Sequence, residues 1–213
     1  MRLSICSARK AACAGALLGL ASVFTAGPGF PQQEPSAAEL MDDLMWDRGP
    51  IGGPFTLRDQ EGRARSLDEF RGSLVLLYFG YMHCPDVCPT DLQEIGAAID
   101  ALGTQGDRVT PIFITIDPER DTSQALASYV PSFHPRLLGL TGELEDIRRI
   151  ATSYKVSFKK VDDPRSTQYV MDHSAFIYLL GADGKYLGFF PPGTKSDRIL
   201  EVVRPHLAAL AGR

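Results

Sequence analysis

The sequence predicts one α/β domain: a mixed central sheet flanked by helices, with a hairpin in front of it and an antiparallel edge near its end. Three observations predict it. Ser73 to Gly80 (SLVLLYFG) and Val109 to Asp117 (VTPIFITID) are nearly unbroken apolar runs of strand length, the pattern of strands covered on both faces. Segments with helical spacing of apolar residues alternate with these runs, as in strand–helix crossovers. A chain of 213 residues with 44% hydrophobic composition can bury one core of ordinary size and carry a terminal extension, but hardly two full domains.

The extension comes first. Arg2, Arg9 and Lys10 precede an uncharged apolar run from Ala11 to Ala26, the order of an export signal. The run has about sixteen residues, short of the roughly twenty needed to span a bilayer. Small residues at Thr25, Ala26 and Gly27 favour cleavage over an uncleaved anchor, which would leave a membrane tether. The expected location is outside the cytoplasm, in a periplasm or on the outer face of an inner membrane. A mitochondrial presequence is the lesser alternative, because such segments are amphipathic rather than apolar in one block. Residues 27 to 51 mix Pro, Gln, Gly, Ala and acids around Trp46 and read as a tether, with the domain at 52 to 213.

Within the domain, PFTLRDQEGRARSL predicts a hairpin turning at Asp59 to Gly62, and SLDEF a capped helical turn. The first apolar strand then runs directly into CPDVCPTDLQEIGAAIDAL, which becomes helical after the cysteines. The second apolar strand precedes the helix TSQALASYVPSF, which ends before His134. A third strand at Arg136 to Leu140 and the amphipathic helix GELEDIRRIATSYKV follow. HSAFIYLL and KYLGFF pair across Gly181 to Gly184, and SDRILEVVRPHLAAL closes the chain as a helix. There is no fixed-period repeat.

Charge excludes one class of partner. The formal net charge is −4 and there is no long run of Lys and Arg, so no phosphate-binding footprint exists and nucleic acid is not an expected partner. Cysteine use points toward chemistry instead. Cys6 and Cys13 lie in the export segment, and no lipobox leads into Cys13. Only the close pair Cys84 and Cys88 remains for the folded part, too little to staple a scaffold.

The motif His83-Cys-Pro-Asp-Val-Cys-Pro89 sits at the carboxyl end of the first central strand, where open α/β sheets place ligands. Pro89 lacks an amide hydrogen and opposes a regular helix through both cysteines, so it is expected as the first helical residue, with Cys88 near the N-cap. The helix N-terminus favours thiolate over thiol, which serves either nucleophilic attack or a soft metal. At this spacing the pair can also oxidise to a disulfide. A metal needs further ligands. His206 and His134 are expected in solvated surface positions, and His83 points away if the backbone is extended. His173, before AFIYLL, is the remaining candidate. Two thiolates and one imidazole suit trigonal Cu(I), with Cu(II) a second state to consider; structural zinc normally takes four ligands. A catalytic zinc with a bound water fits the ligand count but finds no neighbouring general base.

Four segments occur in order: YFGYMHCPDVCPTDL, ITIDPERDT, DHSAFIYLL and FFPPG. From about Gly52 to Leu210 the chain resembles the Sco/SenC family, and the motifs together are far more specific than a lone C-x-x-x-C. The resemblance implies a thioredoxin-like fold and a copper metallochaperone for the dinuclear copper centre of cytochrome c oxidase. It implies Cys84, Cys88 and His173 as metal ligands, a copper-receiving oxidase subunit as partner, and a copper donor or thiol reductant as another. Relatives also imply a Cys84–Cys88 disulfide and, for some members, thiol-disulfide reductase activity. That rival enzyme would use Cys84 to attack and Cys88 to resolve; a peroxidase is a more distant third. Asp117, Arg120 and Asp121 are expected to form a loop-fixing ion pair, with partner docking as the alternative. Asp172 is a candidate carboxylate for orienting His173, or is simply solvated.

Overall fold

Strand β1 (Thr56–Asp59) and strand β2 (Ala64–Ser66) form the expected N-terminal hairpin. The computed structural model describes Asp42 and residues 49–162 and 169–212; the expected export segment and most of the tether lie outside the described residues. Asp59 makes the turn by accepting the amides of Glu61 and Arg63 on Oδ1, each at 2.9 Å, and Gly62 takes the left-handed conformation there, φ +79°. A single 3-10 turn, Leu67–Phe70, follows, and Glu69 reaches back to the Ser66 amide at 2.7 Å.

Strand β3 (Leu74–Gly80) is buried along its whole length. Helix α1 (Val87–Ala101) carries the second cysteine, and strand β4 (Val109–Thr115) returns parallel to β3. Next come helix α2 (Ser123–Tyr129), strand β5 (Leu138–Thr141) and helix α3 (Leu144–Ser153). Strands β6 (Phe158–Asp162) and β7 (Tyr169–His173) make a separate two-stranded sheet. Strands β8 (Ile177–Leu180) and β9 (Tyr186–Phe190) and helix α4 (Ser196–Ala211) complete the domain. Among the described residues no helix is long and apolar enough to cross a membrane.

The main sheet has seven strands in the order β2-β1-β5-β4-β3-β8-β9. Only β5–β4 and β4–β3 are parallel, and the outer pairs are antiparallel, so the sheet is mixed as the sequence predicts. It is the thioredoxin-like α/β arrangement. Pro111, which cannot donate to a ladder, sits in β4 just before the residues that β5 pairs, Ile112 to Ile114.

Two details differ from the sequence expectation. Helix α1 begins two residues earlier than Pro89, with Asp86 at the N-cap, so Pro89 is its third residue and Cys88 lies inside the first turn. The first turn has no intrahelical use for that amide, and the carbonyl Pro89 would crowd belongs to Pro85, ahead of the helix. The β6–β7 hairpin was not expected. His173 therefore closes a hairpin strand opposite Phe158 rather than opening β8. Only Phe158 of β6 and Met171 of β7 are buried, so neither strand carries the apolar alternation that marks a strand in sequence.

Because Leu76 in β3 is fully buried, Leu76→Ala should lower unfolding stability by about 2–5 kcal/mol. Urea denaturation measures this, and a loss below about 1 kcal/mol would contradict a β3 packed on both faces.

Candidate metal centre

The register of the sheet brings the site together. Strands β3 and β4 end side by side, Gly80 opposite Thr115, and the cysteine segment leaves from that end. Strand β8 runs antiparallel to β3 with Ile177 opposite Tyr78, so the chain before β8 also lies at the carboxyl end of β3. His173 is four residues before Ile177 and arrives beside the cysteines.

Cys84, Cys88 and His173 each offer one ligand atom, and these atoms all lie within 4.8 Å of one another. Among the described residues this is the one cluster of His, Cys, Asp or Glu of that kind. His173 Nε2 is 3.4 Å from Cys88 Sγ, and Nδ1 is 3.1 Å from the Ser174 carbonyl. A carbonyl only accepts, so Nδ1 carries the proton and Nε2 presents a lone pair to the thiols. Tyr81 meets the His173 ring edge-on, centroids 5.8 Å apart.

The two thiols differ. Cys88 is fully buried and Cys84 is half-buried, and neither is in a disulfide. A hydrogen bond from Cys88 holds the Cys84 thiol far below its ordinary pKa against the opposing effect of burial, with the amides of Asp86 and Cys88 adding to the lowering. The hydrogen bond it gives to Cys84, its burial and the Cys84 charge push the Cys88 thiol strongly upward. Cys84 is thus the thiolate of the pair. Two sulfurs and one unprotonated imidazole nitrogen, partly reachable from solvent, are a donor set that fits a soft monovalent copper ion.

Sequence reasoning left several supporting residues out. A Cβ at Gly80 would fall 2.9 Å from Cys88 Sγ and 2.8 Å from the Tyr78 ring, so the buried thiol depends on the absence of a side chain there. Asp91, one turn beyond Cys88 on α1, is buried and accepts the Gly193 amide at 2.8 Å, which fixes the FFPPG turn to the helix. Burial raises its pKa, and its Oδ2 and the Tyr78 hydroxyl have no hydrogen-bond partner among the described residues. The i,i+3 spacing of Cys88 and Asp91 was the available signal.

The other histidines stay out of the cluster. His83 is exposed, with Nδ1 3.8 Å from Asp121. His134 is buried rather than solvated: its Nδ1 accepts the Arg136 amide at 3.1 Å and its Nε2 faces Asp100 at 3.4 Å, so a turn and a helix share it. His206 is half-buried on α4 instead of solvated, because it lines a cavity of about 170 Å³ beside Val202 and Phe189. Asp172 is exposed and pairs with Lys159 at 3.4 Å, so the Ser174 carbonyl, not a carboxylate, meets the His173 ring. The Asp117–Arg120 ion pair is present.

Residues 45–208 match the SCO1/SenC family model. A mitochondrial SCO2 homologue from Bos taurus is 44% identical over 159 residues, covering 74% of this chain and 60% of the relative. An SCO2-like protein from Rickettsia felis is 38% identical over 173 residues, 81% of this chain and 83% of the relative. A solved structure of Bradyrhizobium japonicum ScoI with copper bound is 42% identical with a TM-score of 0.68, covering 73% of this chain and 99% of that one. This chain spans about 60% of the length of the mammalian SCO2 relatives it matches.

Alkylation of the reduced protein should modify Cys84 well before Cys88. Its rate should persist at pH values below the ordinary thiol pKa of about 8.5, because the thiolate survives there. Equal rates at the two sulfurs, or an inflection at the ordinary value, would contradict this assignment. Gly80→Ala should cost about 1–3 kcal/mol by overpacking and should also speed Cys88 modification, as read by mass spectrometry of the labelled protein.

Proposed function

Since the chain belongs to the SCO1/SenC family, we propose that it is a copper metallochaperone, with Cys84, Cys88 and His173 as the ligands of the transported ion and the dinuclear copper centre of cytochrome c oxidase as its destination. The observation that carries this reading is the convergence of two thiols and the lone pair of His173 Nε2 at one end of the sheet. The copper-bound ScoI structure at 42% identity supports it.

In this reading Cys84 arrives as a thiolate and makes the first bond to incoming Cu(I). Cys88 loses its proton as it binds, which the neighbouring imidazole and the metal's charge both favour. Three ligands leave a coordination position for a cysteine or histidine of the receiving oxidase subunit, so cargo can leave by ligand exchange without the site ever being empty of donors. Cu(II) is the second state the same ligands can hold.

The remaining assignments belong to the same proposal. Residues 1–26 act as an export signal, 27–51 as a tether and 52–213 as the copper-binding domain, with the protein in the periplasm or on the outer face of the inner membrane. Relatives are both mitochondrial and bacterial, which agrees with a site of action at a respiratory membrane. In an oxidising compartment Cys84 and Cys88 form a disulfide when unloaded, so a thiol reductant joins the copper donor and the oxidase subunit as partners.

One observation favours a second reading. A half-buried thiolate beside a buried thiol is also the arrangement of a thiol-disulfide reductase. There Cys84 attacks a partner disulfide, forming a mixed disulfide, and Cys88 displaces the partner thiolate, so two electrons leave the pair. That reaction does not use His173.

Anaerobic titration of the reduced protein with Cu(I) separates the two. Wild type should bind one copper per chain, and His173→Ala should weaken binding by roughly tenfold or more while both thiols still titrate. Unchanged affinity and unchanged Cu–S absorption in the variant would sink the three-ligand site, and disulfide turnover indifferent to His173 would put the reductase first.

A further inference from the structure

The loop after β4 touches both halves of the centre. Asp121 takes the cysteine half: its Oδ2 accepts the Met82 amide at 3.0 Å, two residues before Cys84, and the Thr115 hydroxyl at 2.6 Å. Asp117 and Arg120 take the histidine half through Tyr169, the first residue of β7, which His173 ends. The Tyr169 hydroxyl donates to Asp117 Oδ1 at 2.8 Å, and Arg120 Nη1 donates to the Tyr169 carbonyl at 3.1 Å. The Arg120 guanidinium lies 3.7 Å from the Tyr169 ring centroid, while its Nε pairs with Asp117.

Arg120 reaches His173 by a second route. Its guanidinium is 5.9 Å from the centre of the Tyr81 ring, the ring that meets His173 edge-on. One side chain therefore bears on the start of the histidine strand and on the aromatic ring packed against the imidazole. A loop-fixing ion pair would need only Asp117, three residues away. The partners of this loop lie 39 to 52 residues away in the chain, on the two segments that carry the metal-binding side chains.

The energetics argue that this geometry has a use. Arg120 is mostly covered, 18% exposed, and its buried Nη2 has no hydrogen-bond partner among the described residues. Leaving such a donor unmet is costly, and a lysine would satisfy a simple ion pair without it. Only a planar fork can pair with a carboxylate, donate to a carbonyl and lie against two aromatic rings at once.

We propose that Arg120, oriented by Asp117, is a positioning residue for His173: it fixes the β6–β7 hairpin and the Tyr81 ring so that Nε2 meets the two sulfurs, while Asp121 fixes the cysteine segment to the same loop. The proposal rests on the reading of Cys84, Cys88 and His173 as a copper site. It assigns Arg120 no contact with the ion.

The test uses the full-length reduced protein and two readouts. In the metal-free state at fixed pH, Arg120→Ala should shift or broaden the His173 imidazole NMR signals toward those of a freely mobile ring. In competition with a chromophoric Cu(I) chelator it should weaken Cu(I) binding by roughly tenfold to a hundredfold, the usual effect of losing a residue that orients a ligand. The same substitution in a His173→Ala background should cause no further loss, since its route runs through that ring. Arg120→Lys, which keeps the charge and loses the fork, should not restore binding. Tyr169→Phe removes only the hydroxyl bound to Asp117; it should move the His173 signals in the same direction by less, and it decides the question if Arg120→Ala does not fold. Unmoved His173 signals in a folded variant, or an equal loss of affinity with and without His173, would overturn the proposal. If wild type binds no Cu(I), the copper reading fails and the metal-free NMR comparison alone decides the positioning role.

Discussion

Strand β3 is the constraint on which the centre depends. It pairs parallel with β4 and antiparallel with β8, and it is covered on both faces from Leu74 to Gly80. Slipping either partner by one residue would turn buried Ile and Phe side chains to the opposite face, so the register is strongly fixed. That register decides which loops meet. The segment after β3 supplies two cysteines, the loop after β4 supplies the Asp–Arg–Asp motif, and the segment before β8 supplies the histidine. Chemistry gathers at the carboxyl end of the parallel pair because three connections, far apart in sequence, must all emerge or enter there.

Electrostatics then differentiates two cysteines that look equivalent in the sequence. Helix α1 begins just before Cys88, but Cys88 points inward over Gly80, while Cys84 remains in the turn nearer to solvent. A shared proton resolves the pair: the buried sulfur keeps it and donates, and the half-buried sulfur carries the charge with the imidazole at hand. The asymmetry suits capture of a soft cation from outside, since the first donor met is already ionised. It equally suits nucleophilic attack, which is why the imidazole rather than the thiols distinguishes copper delivery from disulfide reduction.

The buried polar groups around the site follow the same logic. Asp91 secures the FFPPG turn to α1, Asp121 secures the cysteine segment to β4, and Asp117 with Arg120 secures the histidine hairpin. Each carboxylate or guanidinium leaves an atom unmet or a charge desolvated, a cost that an apolar substitute would avoid. What they contribute is direction. Hydrogen bonds of fixed geometry hold three separately folded segments in a relative position that nondirectional apolar packing would leave less defined.

The sequence by itself determined the α/β class, the order of most elements and the three donor side chains that the fold brings together. Apolar runs of strand length can only be buried on both faces, and the cysteine pair, the two central motifs and His173 stand in linear patterns that need no coordinates to be seen. The tertiary structure decided the rest. It placed the helix start before Pro89, because the first turn has no use for the missing amide, and it buried His134 between a turn and a helix. It also built the β6–β7 hairpin, whose strands bury one residue each and so carry no alternation to read, and set His173 at a strand end with Ser174, not Asp172, on its ring. Above all it joined Arg120 to Tyr81 and Tyr169. Those partners are distant in sequence and no periodicity links them; only the pairing of β3 with β4 and β8 brings them within reach.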